Sequence, residues 1–380
     1  MRLVAYTDYL YRERNRSVFA ERAFVRFLGA LAHELGGLRL LGRLDHGPGP
    51  AHYALDAAIE FVALPHYRRL SQPRPVLRSV PGTFKRMWRA LDDADAVFSL
   101  GPYPHAIALA LIALIRRRRL VLGVRQNFPA YINHRHPTNR LLQLGAWALE
   151  GCWRLLALAA PVVAVGSDLA ARYRRAPRVL EATISLVGAA DVEAGRRAAA
   201  RSYDGERLTL LTVGRIDAEK NPLLLAEVLR LLRRRDPRWR LVVCGEGEMA
   251  AALKARVAEL GLTAVCELRG YVPLDAGLLD VYRASHAFLH VSRTEGLPQV
   301  LIEAYASGLP TVATAVGGVR ALADSSLLIS PDDAAAAAAA VQRLLEDADL
   351  RQRLIEAGLR RAAGVTLERE AAAVAHFIAA

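Results

Sequence analysis

Short apolar runs alternate with amphipathic stretches along the whole chain. In the first half, residues 3–6, 96–100, 120–124 and 161–165 have the length and composition of buried strands, and helical periodicity covers 20–34 and 138–157. In the second half, strand-like runs at 208–213, 240–244, 266–269, 287–291 and 311–313 are separated by helical patterns at 222–234, 248–260, 298–307 and 333–345. Strands buried on both faces and joined by amphipathic helices predict parallel sheets with helices on both sides. Two such series in 380 residues predict an α/β chain of two doubly wound domains, with ligands at the carboxyl ends of the strands. The expected boundaries are a first domain at 1–183, a linker at 184–207, a second domain at 208–365 and a terminal helix at 366–380. The linker is read from Gly188, Gly195 and Gly205, which interrupt a polar Arg- and Ala-rich stretch. The alanine run at 334–340 reads as a helix that Asp332 or Asp333 can cap.

Composition adds three constraints. The apolar fraction, 53%, is ample for two cores, and no run reaches the ~18 apolar residues of a membrane span. No secretory leader is read at the amino terminus, and the expected location is cytoplasmic, with peripheral attachment to the inner face of the membrane as an extension. Cys152, Cys244 and Cys266 share no metal or redox spacing, so no metal site is expected. Charge is uneven: residues 1–183 hold 27 Lys and Arg against 13 Asp and Glu, and the remainder 24 against 25. A basic first half beside a near-neutral second half suggests an anionic partner for the first, such as lipid headgroups, a phosphorylated acceptor or nucleic acid.

Three loops of the second half could carry chemistry, and each follows a strand. In the first, Gly214 and Arg215 lead to Lys220 and then to Pro222, which can open a helix. Arg215 offers a bidentate fork and Lys220 a point charge, both suited to a diphosphate, although both could instead pair with Asp217 and Glu219. In the second, Gly245 and Gly247 form a G-x-G turn, which allows close ligand approach but is weak evidence alone. The adjacent Arg269-Gly270-Tyr271 turn could lie against a flat base. In the third, Glu295 and Glu303 stand eight positions apart across Gly296-Leu297-Pro298. A helix starting near Leu297 would aim backbone N–H groups at a phosphate, with the carboxylates reaching hydroxyls to its sides.

The ordered segments VGRIDAEKNPLLL, LVVCGEGEM, LRGYVP and HVSRTEGLPQVLIEAYASGLPTVATAVGGV resemble the donor domain of retaining glycosyltransferases of family 4 over about residues 210–361. The resemblance implies the GT-B fold, two facing Rossmann-like domains with a deep interdomain cleft, and a C-terminal helix at 366–380 that could cross back to the first domain. It implies an enzyme that moves a sugar from a nucleotide-diphosphate sugar with retention of configuration and without a metal or further cofactor. Arg215 and Lys220 would neutralise the donor diphosphate, Glu295 would hold the donor sugar and Glu303 the ribose, with the backbone at Gly296 and Leu297 beside them.

The first half departs from that family. No glycine pair follows the first strand, and Arg125, Gln126 and Asn127 stand where many members have a histidine after a middle strand. These three and His105 are the acceptor-side candidates, for an acceptor that is a glycan, a secondary metabolite or a lipid-linked molecule. Residues 81–91, which mix Phe84, Met87 and Trp88 with Lys85, Arg86 and Arg89, could form an interfacial helix or equally pack Phe84, Trp88 and Leu91 into a core, and Arg116–Arg119 could lie on anionic lipid or cap the end of a helix. The competing readings are a nucleotide-sugar epimerase, which needs no acceptor, a non-catalytic subunit that recruits a partner, and a basic nucleic-acid-binding protein, which no zinc-finger or RNP-like element supports, so no nucleic acid is expected as a partner.

Overall fold

The computed structural model describes residues 1–67 and 73–380. They form two compact units, Met1–Ile184 with Leu367–Ala380, and Ser185–Thr366.

The first unit contains β1 (Leu3–Arg14), β2 (Ser17–Ala20), β3 (Leu38–Leu44), β4 (Tyr53–Ala54), β5 (Ile59–Leu64), β6 (Ala96–Gly101), β7 (Arg119–Val124), β8 (Val162–Val165) and β9 (Val179–Ala182). Its helices are α1 (Phe24–Leu35), α2 (Pro73–Ala90), α3 (Pro104–Ile115), α4 (Phe128–Arg135), α5 (Arg140–Leu156) and α6 (Ser167–Arg172). The parallel strands run β5-β3-β1-β6-β7-β8-β9, so the order reverses between β1 and β6. The first strand is longer than its apolar run. It continues to Arg14, turns through Asn15 (φ 50°) and Arg16 (φ 63°), and pairs antiparallel with β2. Two left-handed residues give the hairpin twist that flanking strands need. The polar residues Asp8, Arg12 and Arg14 conceal this extension from a hydrophobicity pattern.

The second unit contains β10 (Leu208–Val213), β11 (Trp239–Cys244), β12 (Cys266–Gly270), β13 (Ala287–His290), β14 (Thr311–Thr314) and β15 (Leu328–Ile329). All are parallel, in the order β12-β11-β10-β13-β14-β15, and the order reverses between β10 and β13. This is the dinucleotide-fold arrangement, whose reversal opens a crevice at the carboxyl ends of the two central strands. Its helices are α7 (Ala189–Ala198), α8 (Pro222–Arg235), α9 (Ala250–Glu259), α10 (Leu278–Arg283), α11 (Gln299–Ala306), α12 (Val319–Leu322), α13 (Ala334–Glu346) and α14 (Ala348–Gly364). Leu225 and Leu229 of α8 pack with Leu210, Leu241 and Leu289 of the sheet in one buried cluster. Truncating one such leucine to alanine costs about 2–5 kcal/mol. Asp333 caps α13 by accepting from Ala336 N at 2.8 Å.

One expected feature differs. The stretch 184–207 is not a linker, because α7 occupies its centre and belongs to the second unit. Asp191 accepts from Gly188 N at 3.0 Å at the start of α7. A Cβ on Gly195 would stand 1.9 Å from Ala306 O, so this glycine marks close helix packing rather than a flexible hinge. The terminal helix α15 (Leu367–Ala379) groups with the first unit and packs against α1. Its Glu370 carboxylate accepts from Thr183 N at 2.7 Å, and burial raises its pKa.

Candidate functional site

The loops after β10 and β13 meet at the crevice of the second unit and line a cavity of ≈ 150 Å³. Gly214 leaves β10 at φ 152°, and a 3₁₀ turn at Ala218–Lys220 follows. Asn221 (φ 53°) then reverses the chain, and Pro222 opens α8. Lys220 Nζ donates to Glu295 Oε1, and both residues line the cavity. Ser292 Oγ donates to the same oxygen at 2.8 Å. His290 Nε2 lies 2.9 Å from it. Burial opposes ionisation of Glu295, but His290 and Lys220 outweigh it and hold its pKa down to about 2. Glu295 is therefore an anion that accepts hydrogen bonds at neutral pH, not a proton donor.

Arg215 lines the cavity and pairs with both Asp217 and Glu219. The two cations thus part company: Arg215 takes the local acidic partners, whereas Lys220 reaches across to the second loop. A further pair of contacts fastens the loops together. Asp332 Oδ1 accepts from Asn221 Nδ2 at 2.9 Å and from Arg293 Nη2 at 2.7 Å. Arg293 N donates to Glu219 O at 2.8 Å.

The glycines interlock the backbone. A Cβ on Gly245 would fall 1.7 Å from Gly214 O, and one on Gly247 would fall 2.4 Å from Ile216 O. Ile216 N donates to Glu246 O at 2.9 Å, and Gly245 N to Gly270 O at 2.7 Å. The G-x-G turn therefore shapes the Arg215 loop, and Gly245 and Gly247 do not line the cavity. On the other side, a Cβ on Gly317 would meet Glu295 O at 1.9 Å and one on Gly318 would meet Gly296 O at 2.0 Å.

The helix expected to start near Leu297 starts at Gln299, because Pro298 is its cap residue in extended conformation. Leu297, Pro298 and Gln299 still line the cavity, so the amino-terminal end of α11, where a helix leaves its first N–H groups unsatisfied, borders it. Glu303 is buried on α11 and accepts from Tyr282 OH at 2.9 Å. It lies outside the cavity lining, as do Gly296, Arg269, Gly270 and Tyr271. Arg269 pairs with Glu267 at 2.8 Å, and Tyr271 is exposed. His290, Ser292, Arg293, Asn221 and Asp332 escaped the sequence reading. Their only signal is adjacency to Glu295 and Lys220, and Asp332 had none beyond capping. Among the described residues no group of three or more His, Cys, Asp or Glu is placed to hold a metal ion.

Residues 197–361 match the family model described as glycosyl transferases group 1. This part of the chain belongs to that family. The group 1 domain also carries the likeness to curated relatives. A D-inositol 3-phosphate glycosyltransferase of Frankia alni is 40% identical over 167 residues, 41% of this chain and 41% of the relative. A mannosylfructose-phosphate synthase of Agrobacterium fabrum is 36% identical over 135 residues, 33% of this chain and 30% of the relative. Each match spans well under half the relative's own length. Solved structures cover both units. Sucrose-phosphate synthase of Thermosynechococcus elongatus has a TM-score of 0.72 at 17% identity, over 99% of this chain and 98% of that one. HepE of Anabaena, solved with UDP, has a TM-score of 0.69 at 14% identity, over 100% of both chains. The fold is GT-B, with two Rossmann-like domains, of which the group 1 domain is the second.

Outside the group 1 domain, the strand order of the first unit reverses between β1 and β6, the position at which a doubly wound sheet is expected to open a crevice. His105 starts α3 there, with Tyr67 OH 3.4 Å from its Nδ1. Burial lowers the His105 pKa against the pull of Asp8. Asp8 accepts from Tyr6 OH at 2.8 Å and pairs with Arg43 at 3.3 Å. Asp8 and Arg43 were not read from the sequence. Arg125 bonds to Tyr9 OH and lies 3.8 Å over the Phe24 ring, and Gln126 reaches Tyr103 OH at 3.5 Å. Asn127 has a structural task, capping α4 by accepting from Ala130 N at 3.2 Å.

Proposed function

We propose that the protein is a glycosyltransferase that moves a sugar from a nucleotide-diphosphate sugar to an acceptor, with retention of configuration. The observation that carries this is the Lys220–Glu295 pair, which joins the loops after β10 and β13 in the lining of the crevice cavity. A diphosphate placed there meets Lys220, the Arg215 fork and the N–H groups of α11. Cleavage of the sugar–phosphate bond builds negative charge on the leaving diphosphate. Those groups bind that charge more tightly than the ground state, which lowers the barrier. They supply positive charge in the place a metal ion would otherwise occupy, so transfer persists in a chelator. Glu295, ionised, accepts from hydroxyls of the donor sugar. Glu303 accepts from the ribose, its second oxygen held by Tyr282. Gly296, Leu297, Pro298 and Gly214 contribute backbone. Gly245, Gly247, Arg269, Gly270 and Tyr271 shape the wall on the base side.

HepE binds UDP and UDP-glucose, which makes uridine the first base to test. The acceptor is assigned to the first unit, with Asp8 and His105 at its crevice and Arg125 and Gln126 beside them. The positive excess of that unit favours an anionic or lipid-linked acceptor, and with it attachment at the inner face of the membrane. Among the described residues no helix is long and apolar enough to cross a membrane.

The deciding experiment is calorimetry with UDP, GDP, ADP and TDP, followed by incubation with the matching sugar nucleotide. Saturable binding of one nucleotide, lost in Lys220→Ala, is the expected result. Conversion of the donor sugar without an acceptor would instead point to an epimerase.

A further inference from the structure

Among the described residues, every exposed large apolar side chain except Met1 and Tyr271 lies on α2, on α3, or on α5 and the turn after it. These three helices pack into one core cluster of the first unit, and α3 touches both of the others. On α2, Leu77, Phe84 and Trp88 recur at helical spacing and stay exposed, with Trp88 45% accessible. On α3 the exposed residues are Leu111, Leu114 and Ile115. On α5 only Ala146, Glu150 and Trp153 are buried, while Leu141 (82%), Leu144 (66%), Trp147 (52%) and Leu155 (69%) face solvent. An apolar face this extensive marks an interaction surface.

Its charge names the occupant. α2 carries Arg74, Arg78, Lys85, Arg86 and Arg89 and no acid, and α3 carries no acid. The only acid on α5 is Glu150, which is buried against Arg172 at 2.8 Å and Tyr173 at 3.0 Å. Arg117, Arg140 and Arg154 are exposed beside the apolar residues. A second copy of the chain would bring like charges together across a twofold axis, because the same patch faces itself. An anionic lipid surface satisfies both features at once, since aromatic and aliphatic side chains enter the headgroup boundary while the arginines meet phosphates.

We infer that the face of α2, α3 and α5 docks the protein on an anionic membrane. The inference deepens the proposed lipid-linked acceptor but rests on the first unit alone, so it can stand or fall apart from the donor site. The test is sedimentation of the full chain with phosphatidylcholine vesicles and with vesicles that also contain phosphatidylglycerol. The chain is expected to pellet with the anionic vesicles, to be released by salt, and to show a blue shift of tryptophan emission that Trp88→Phe with Trp147→Phe removes. Leu141→Ser with Leu144→Ser should weaken binding, and Arg78→Gln and Arg89→Gln should each lower it about fivefold. Circular dichroism keeps loss of fold apart from loss of the surface. Failure to bind either vesicle, or equal binding to both, overturns the inference. So does a concentration-dependent dimer that the Leu141→Ser, Leu144→Ser variant abolishes. Vesicle binding by a chain that binds no nucleotide leaves the inference intact and removes the donor reading.

Discussion

Lys220 and Glu295, 75 positions apart, share a hydrogen bond at the point where the strand order of the second sheet reverses. Each supports the other, since the ammonium lowers the cost of a buried carboxylate and the carboxylate fixes a long flexible side chain. The pair makes the loops after β10 and β13 one functional element.

Removing either end should therefore have different effects. Lys220→Ala is expected to weaken nucleotide diphosphate binding roughly 10- to 100-fold, the range for losing a hydrogen bond to a charged group. Glu295→Ala should spare that affinity better while turnover falls by about 100-fold or more, since it contacts the sugar. Calorimetry with the bound nucleotide and a product assay separate the two. Unchanged turnover in Glu295→Ala would remove the sugar contact.

The pH response follows from the Glu295 carboxyl, held to about 2 against an ordinary value of 4.5. A folded pKa below the unfolded one adds stability that is full above the unfolded value and fades as pH falls through about 4.5 toward about 2. Urea unfolding of the wild type and of Glu295→Gln should show a stability gap near neutrality that narrows across that interval. A gap independent of pH would show that the ion pair is not its source.

Two neighbouring glycines should behave oppositely. Gly296→Ala places its Cβ in open space and should leave the melting temperature nearly unchanged. Gly318→Ala drives a Cβ to 2.0 Å from Gly296 O, so the loop holding Glu295 must move. About 1–3 kcal/mol is the usual cost of such overpacking. Thermal unfolding and nucleotide affinity should both fall in Gly318→Ala.

Asp332 touches neither cavity nor proposed ligand, yet ties Asn221, next to Lys220, to Arg293, two before Glu295. Asp332→Ala should raise KM for the donor more than it lowers kcat. Asp332→Asn should recover much of the loss, because asparagine tolerates the φ of 65° and keeps an acceptor oxygen. Equal kinetics in all three proteins would leave Asp332 no positioning role.

Much of the fold was legible because its strands are short, apolar and separated by amphipathic helices, and β10 was read at its observed bounds. β1 was cut short and the hairpin missed, since a strand continuing beyond the core loses its hydrophobic signature. Gly195 misled in the other direction: a glycine that lets two helices touch looks, in one dimension, like a hinge.

The chain by itself determined two α/β series, the loops that end their strands, and the residue types in those loops. Tertiary structure decided which of them meet. Arg215 was equally suited to a ligand or to its local acids, and its pairing with Asp217 and Glu219 depends on how the loop folds back. Lys220 found Glu295 only because parallel strands distant in sequence lie side by side and point their carboxyl ends the same way. The glycines of the G-x-G turn became packing elements, since their nearest neighbour is another loop's carbonyl. The exposed face of α2, α3 and α5 likewise emerged only once three helices were set against one sheet. Periodicity shows that a helix has an apolar stripe, but only packing decides which part of it the core covers.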